Sequence, residues 1–215
     1  MVNQNNSLDE KHENVPGDYY DTSIRENPFQ RFWHTRRFRE FHSFVKGIQS
    51  QKILDVGCHG GRFTQEIAIA FPKAHIDGID MSVQAISYAS KKYPAITFKV
   101  ARAQRLPYKN KAFDLVTCFE VLEHIEDPDR VVAEVQRVLR KKGNFITLVP
   151  AENILFKCIW FLWTHFGPGR VWHHTHVQKF EKKSLDMLLQ SEGFTVVKRK
   201  VFLMGMLLFI HARKN

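Results

Sequence analysis

The stretch Lys52-Ile53-Leu54-Asp55-Val56-Gly57-Cys58-His59-Gly60-Gly61-Arg62-Phe63 decides how the chain is read. A short apolar run ends in an acid, passes through small residues and enters a segment of helical character. A buried strand that stops there must turn tightly and feed a helix. Gly57, Gly60 and Gly61 let the backbone come close to whatever lies above the strand end. Taken alone, such a cluster is equally a plain tight loop.

The residues downstream resolve the ambiguity. Strand-like runs at Ile53–Val56, Ala74–Ile79, Ile96–Val100, Phe113–Phe119 and Asn144–Val149 alternate with helix-like stretches. These are Arg62–Phe71, Ser82–Tyr93 and the strongly amphipathic Pro128–Arg140. Lys183–Gln190 adds a helix, and Phe194–Val197 and Leu207–Ala212 two more strands, which makes seven. This is the pattern of an α/β fold with a doubly wound, mostly parallel sheet, whose ligands sit beyond the carboxyl ends of the strands. Asp80 ends the second strand 19 residues after Gly61, the expected placement for an acid that binds two ribose hydroxyls. A dinucleotide fingerprint would need glycine where His59 and Arg62 stand, and no Gly-Lys-Ser/Thr phosphate loop follows. The ligand is therefore expected to be a nucleoside without a pyrophosphate.

On these residues the chain resembles the class I S-adenosylmethionine-dependent methyltransferases. The resemblance runs through Leu54–Gly61, Gly78-Ile79-Asp80-Met81-Ser82, Leu106-Pro107-Tyr108, Phe113-Asp114-Leu115-Val116, Val121-Leu122-Glu123-His124-Ile125 and Val138–Gly143. It implies a Rossmann-like methyltransferase fold and S-adenosyl-L-methionine as cofactor. It also implies that Asp55 and the loop of Gly57, Cys58, His59 and Gly61 hold the methionine moiety, Asp80 the ribose and Met81 the adenine. Ala103 and Gln104 would border the adenine, with Phe119 and Glu120 beside the sulfonium. Two positions depart from the family: His59 replaces a usual glycine, and Arg102 stands where an acid commonly accepts from the adenine amino group. Arginine has no acceptor, so one hydrogen bond of about 0.5–1.5 kcal/mol is lost or supplied by Gln104 or backbone.

Outside this core the chain adds two segments. Phe29, Phe32, Trp33, Phe38, Phe41 and Phe44 recur at helical spacing between Asn27 and Ile48, with Tyr19 and Tyr20 before them; they read as an N-terminal helical cap that packs its aromatic face on the domain or, with the two tyrosines, covers a ligand pocket. After the fifth strand an apolar insert, 151–177, contains Ile154–Phe166, apolar nearly all round and too short to span a bilayer. It reads as a lid, as the wall of a lipophilic pocket or as a peripheral membrane contact. His173, His174 and His176 follow as candidate general bases; no acid or cysteine accompanies them at metal-binding spacing, so no metal is expected. His176 with Phe180 resembles the His-x(3)-Phe stretch of ubiquinone-pathway O-methyltransferases. His124 lies after the fourth strand but belongs to the shared scaffold.

The division expected is a disordered tail at 1–16 and a single domain at 17–215. Three scattered cysteines suit a reducing compartment, hence a cytoplasmic protein that could be peripheral to the membrane. A net charge of +10 admits nucleic acid or anionic membrane partners, but no nucleic-acid signature accompanies it. The reading is thus a methyltransferase acting on a small, hydrophobic, hydroxylated acceptor, most simply at oxygen. The alternatives are an inactive methyltransferase-like nucleoside-binding or membrane-associated module and, on charge alone, an RNA methyltransferase.

Overall fold

The computed structural model describes residue 13 and residues 15–151, 154–166 and 182–215. Seven strands form one sheet in the order β3-β2-β1-β4-β5-β7-β6. They are β1 (Lys52–Val56), β2 (His75–Asp80), β3 (Thr97–Val100), β4 (Phe113–Phe119), β5 (Leu139–Pro150), β6 (Phe194–Phe202) and β7 (Leu207–Lys214). β1 to β5 pair in parallel, while β7 pairs antiparallel with both β5 and β6. The order reverses between β1 and β4, so their carboxyl ends flank the crevice where such sheets bind ligands.

Neighbouring residues of each central strand serve opposite cores, as the pleat requires. Leu54, Val116 and Leu208 face Val131, Val135, Leu185 and Leu189 of helices α5 (Pro128–Val138) and α7 (Lys182–Ser191). Ile53, Leu115 and Phe209 face Phe41 and Phe44 of α2 (Pro28–Phe44), Ile67 of α3 (Arg62–Ala70) and Phe156 of α6 (Ile154–Phe166). Helix starts follow local chemistry. Asn27 caps α2 by accepting from the Phe29 and Gln30 N–H groups, with Pro28 in the first turn. Ser82 caps α4 (Val83–Lys92) by accepting from Ala85 N–H, and Asp127 caps α5 by accepting from Arg130 N–H.

Several boundaries differ from the expected ones. α5 stops at Val138, because Leu139 turns extended and pairs with Phe113, so β5 begins there rather than at Asn144. β6 continues past Val197 to Phe202 along the whole of β7; its charged Lys198, Arg199 and Lys200 lie on an edge strand, where cations hide the strand pattern and deter further pairing. The cap is two helices, α1 (Tyr19–Glu26) and α2, parted at Asn27. Most of the expected 1–16 tail lies outside the described residues. Within it, Val15 is buried and the Glu13 carboxylate accepts from Val83 N–H at the start of α4.

Candidate active site

At the end of β1 the chain turns through Gly57 with φ +75°, and the Gly57 and Cys58 N–H groups both donate to the Ile79 carbonyl at 2.8 and 2.9 Å. The loop is thereby tied to the tip of β2. The Asp80 carboxylate accepts from His59 N–H at 2.8 Å through one oxygen and from Ser82 N–H at 2.9 Å through the other. His59 enters the left-handed region at φ 45°, which histidine tolerates better than most residues and which explains how it stands in a glycine's place. Its ring lines the cavity and meets Tyr20 edge-on, centroids 5.2 Å apart.

Asp55 is buried beneath the loop. Its carboxylate accepts from the Thr64 and Thr117 hydroxyls, each at 2.7 Å. Burial pushes its pKa up to about 6, against the two hydroxyl hydrogen bonds, and the nearby Asp80 adds to the rise. Burial likewise pushes the Cys58 thiol well up, so it is an uncharged wall group.

Above the strand ends opens a cavity of about 620 Å³, in the range of small-molecule sites. Its floor includes Asp55, Gly57, Cys58, His59, Asp80, Phe119 and Glu120, and one side carries Met81, Arg102, Ala103 and Gln104. Of the expected cofactor residues only Gly61 does not line it: Gly61 faces Tyr93, Phe98 and Ala89 at the start of α3. The expected bases His173, His174 and His176 lie outside the described residues. His124 does line the cavity.

The roof was only partly legible. Tyr19 and Tyr20 of α1, Phe29, Trp33 and Phe38 of α2, and Phe156, Ile159, Trp160 and Trp163 of α6 enclose the space with aromatic surface. Set among them is a polar group that sequence reasoning missed. Arg37 donates through Nη1 to His34 Nδ1 at 3.0 Å and forms an ion pair with Glu120. Arg37 and Glu120 side chains are 6% and 21% exposed. Burial first, then Arg37 and Arg62, holds the His34 pKa well below its ordinary value. Burial raises the Tyr20 hydroxyl, with Glu120 adding to it. The available signal was the spacing: His34, Arg37, Phe38 and Phe41 share one face of α2, so a cation sat on a face otherwise bound for the core.

A family profile described as "Methyltransferase domain" matches residues 54–147, the segment that carries the glycine loop, Asp80 and β4. Residues 54–147 are a class I, S-adenosylmethionine-dependent methyltransferase domain. The chain is 31% identical over 123 residues to a ubiquinone biosynthesis O-methyltransferase of Aromatoleum aromaticum, covering 55% of this chain and 48% of that one. It is 25% identical over 172 residues to a demethylmenaquinone methyltransferase of Chlorobaculum parvum, covering 77% and 71%. The chain spans about half the length of the ubiquinone-pathway relatives it matches. In fold it is similar to magnesium protoporphyrin IX methyltransferase from Synechocystis PCC 6803, solved with bound SAH, at TM-score 0.68 and 16% identity over 88% of each chain.

The methyltransferase domain's wall suits the cofactor such domains use. Each Asp80 oxygen makes one backbone hydrogen bond and keeps acceptor capacity for a ribose hydroxyl. Asp55, Asp80 and Glu120 line the same space as Arg37, Arg62 and Arg102, so it offers both signs of charge to a ligand that carries both, and the glycine loop offers no lysine to a phosphate. S-adenosylmethionine, a sulfonium without a pyrophosphate, fits that donor set.

Proposed function

We propose that the protein transfers the methyl group of S-adenosylmethionine to the oxygen of a small, hydrophobic, hydroxylated acceptor. The observation that carries this reading is one continuous cavity with two unlike ends: carboxylates and backbone at the strand tips, aromatic rings on the facing helices. The carboxylate end suits the donor, with Asp80 on the ribose, Asp55 and the Gly57–His59 loop around the methionine portion, and Met81, Ala103 and Gln104 around the base. The bound donor supplies an electrophilic methyl carbon. The chain's own contribution is alignment and exclusion of water, which together account for much of the acceleration of an in-line displacement. Phe29, Trp33, Trp160 and Trp163 suit a planar apolar acceptor better than a charged or extended polymer.

The outer side of α6 extends the reading. Leu155, Phe161, Leu162 and Phe166 are exposed there while Phe156 and Trp160 of the same helix line the cavity. Among the described residues no helix is long and apolar enough to cross a membrane. An apolar helix face on a chain of net charge +10 suits shallow contact with an anionic bilayer, from which a lipophilic acceptor could enter. Calorimetry with S-adenosylmethionine on the intact protein and on Asp80→Ala tests the core of the proposal. Binding by the former and a loss of about 1.5–3 kcal/mol or more in the latter is expected for a hydrogen-bonded carboxylate. Equal binding by both would sink it. A labelled-methyl screen against hydroxylated quinone, lipid and amine pools identifies the acceptor, and flotation with anionic vesicles tests the membrane contact.

A further inference from the structure

Glu120 is the least ordinary residue of the cavity wall. It follows β4 directly and has φ 55°, a left-handed conformation that costs a non-glycine residue energy unless its surroundings impose it. They do: Glu120 N–H donates to the Leu148 carbonyl of β5 at 2.8 Å, and the carboxylate is held from the other side of the cavity by Arg37. Arg37 itself comes from α2, so the pair joins the sheet to the cap.

The geometry leaves a defined set of hydrogen-bonding atoms. Arg37 meets Glu120 at Oε2, and Oε1 has no hydrogen bond among the described residues. Arginine is only a donor, so His34 Nδ1, which receives the Arg37 Nη1–H, must be an acceptor. The proton of a neutral His34 therefore sits on Nε2. Beside other polar groups of the cavity, Gln30, Glu123 and His124 among them, this cluster presents one anionic acceptor and one neutral N–H donor among aromatic rings. A buried ion pair is poor value for stability compared with apolar residues of similar volume, which argues for a role in the cavity.

Resting on the methyl-transfer reading above, we propose that Glu120 Oε1 binds the acceptor's hydroxyl and takes its proton during transfer, with Arg37 as its positioning residue and His34 as a donor to the same acceptor molecule. The acceptor oxygen gains a bond to the methyl carbon at the expense of the donor's carbon–sulfur bond, whose electron pair stays on sulfur. The O–H proton passes to Glu120 Oε1 and from there to water. A carboxylate is a sufficient base, because an oxygen acquiring a third bond becomes far more acidic than a carboxylic acid. The same arrangement selects the acceptor: it favours a neutral aromatic hydroxyl and rejects a carboxylate, which would face Glu120 with like charge.

The test uses 2-naphthol and its methyl ether as probes, bound to the full chain in the presence of S-adenosylhomocysteine so that no transfer occurs. The wild-type protein is expected to prefer naphthol by about tenfold or more, the size of a hydrogen bond to a charged group. In Glu120→Gln that preference should fall to within about twofold. Glu120→Asp, which keeps the charge, should retain part of the preference and guards against a merely disrupted wall. Methyl transfer to the acceptor found by screening should fall by about 10²- to 10⁴-fold in Glu120→Gln, the usual contribution of a positioned base. An unchanged preference in Glu120→Gln, or none in the wild type, overturns the proposal. Absence of S-adenosylhomocysteine binding by the wild type overturns the methyl-transfer reading instead, and the naphthol preference then judges Glu120 without the nucleoside.

Discussion

At the tips of β1 and β2 the cavity wall is made of carboxylates held by the loop and the neighbouring strands: Asp80 by the His59 and Ser82 N–H groups, Asp55 by the Thr64 and Thr117 hydroxyls. Across the cavity the wall is made of rings on α1, α2 and α6, and its polar group, His34–Arg37–Glu120, spans two elements far apart in the chain. The floor sits on paired strands, whose register sets its contacts. The roof depends on how helices pack, and α6 leaves Phe161, Leu162 and Phe166 exposed on its outer side. On the proposed function this contrast is a division of labour: a fixed donor site that can be reused, and an acceptor site adjustable through side chains that the sheet does not constrain.

The largest expected effect concerns the floor and pH. Asp55 has its folded-state pKa raised from 3.8 to about 6, so the native state binds the extra proton between these values. Stability should therefore fall as pH rises from about 4 to about 6, by up to roughly 3 kcal/mol at 1.36 kcal/mol per pKa unit. Above pH 6 the site gains a negative charge, so affinity for a cationic donor should rise through the same window. Asp55→Asn should flatten both dependences, read by urea denaturation and calorimetry across that range; a wild-type stability that climbs between pH 4 and 6 would refute the assignment.

A smaller effect is expected where floor meets cap. A Cβ on Gly60 would enter the space of the Gly17 carbonyl, while Gly17 is itself packed on Tyr88 and Gln84. Gly60→Ala should therefore lift the segment from Val15 to α1 at a cost of about 2 kcal/mol, typical of overpacking. Hydrogen exchange should quicken in residues 15–26 and not in β1 or β2. Equal quickening in β1 would mean that the loop, and not the cap, is what Gly60 protects.

The smallest effect belongs to the roof. Trp160 is half-buried and lies face to face with Phe156, centroids 5.6 Å apart. Trp160→Ala should cost about 1 kcal/mol of stability. It should raise the acceptor's KM severalfold and leave donor affinity within about twofold. Parallel losses of donor and acceptor affinity would erase the distinction between the two walls.

How much could be read beforehand follows the same line. The strands, the glycine loop and Asp80 were legible because each depends on neighbours in sequence: apolar periodicity, a turn that only small residues permit, an acid at a strand tip. Leu139 at the start of β5 was not, because the basic run Arg140-Lys141-Lys142 continues a helical pattern and only pairing with Phe113 makes Leu139 extended. β6 was underestimated for a related reason, since Lys198, Arg199 and Lys200 conceal a strand whose partner is β7. Gly61, expected with the donor on its motif, does not line the cavity, and a side chain there would meet Tyr93 and Phe98.

By itself, then, the sequence determined the alternating sheet and the glycine loop and strand-tip acid of the cavity floor, since both follow from local periodicity and short turns. Only the tertiary structure decided that His59 lies against Tyr20, that α6 closes the cavity with one face and exposes the other, and that Arg37 reaches Glu120. Those contacts join residues distant in the chain, and their partners are selected by packing and by the need to pair buried charge, neither of which any short stretch of sequence records.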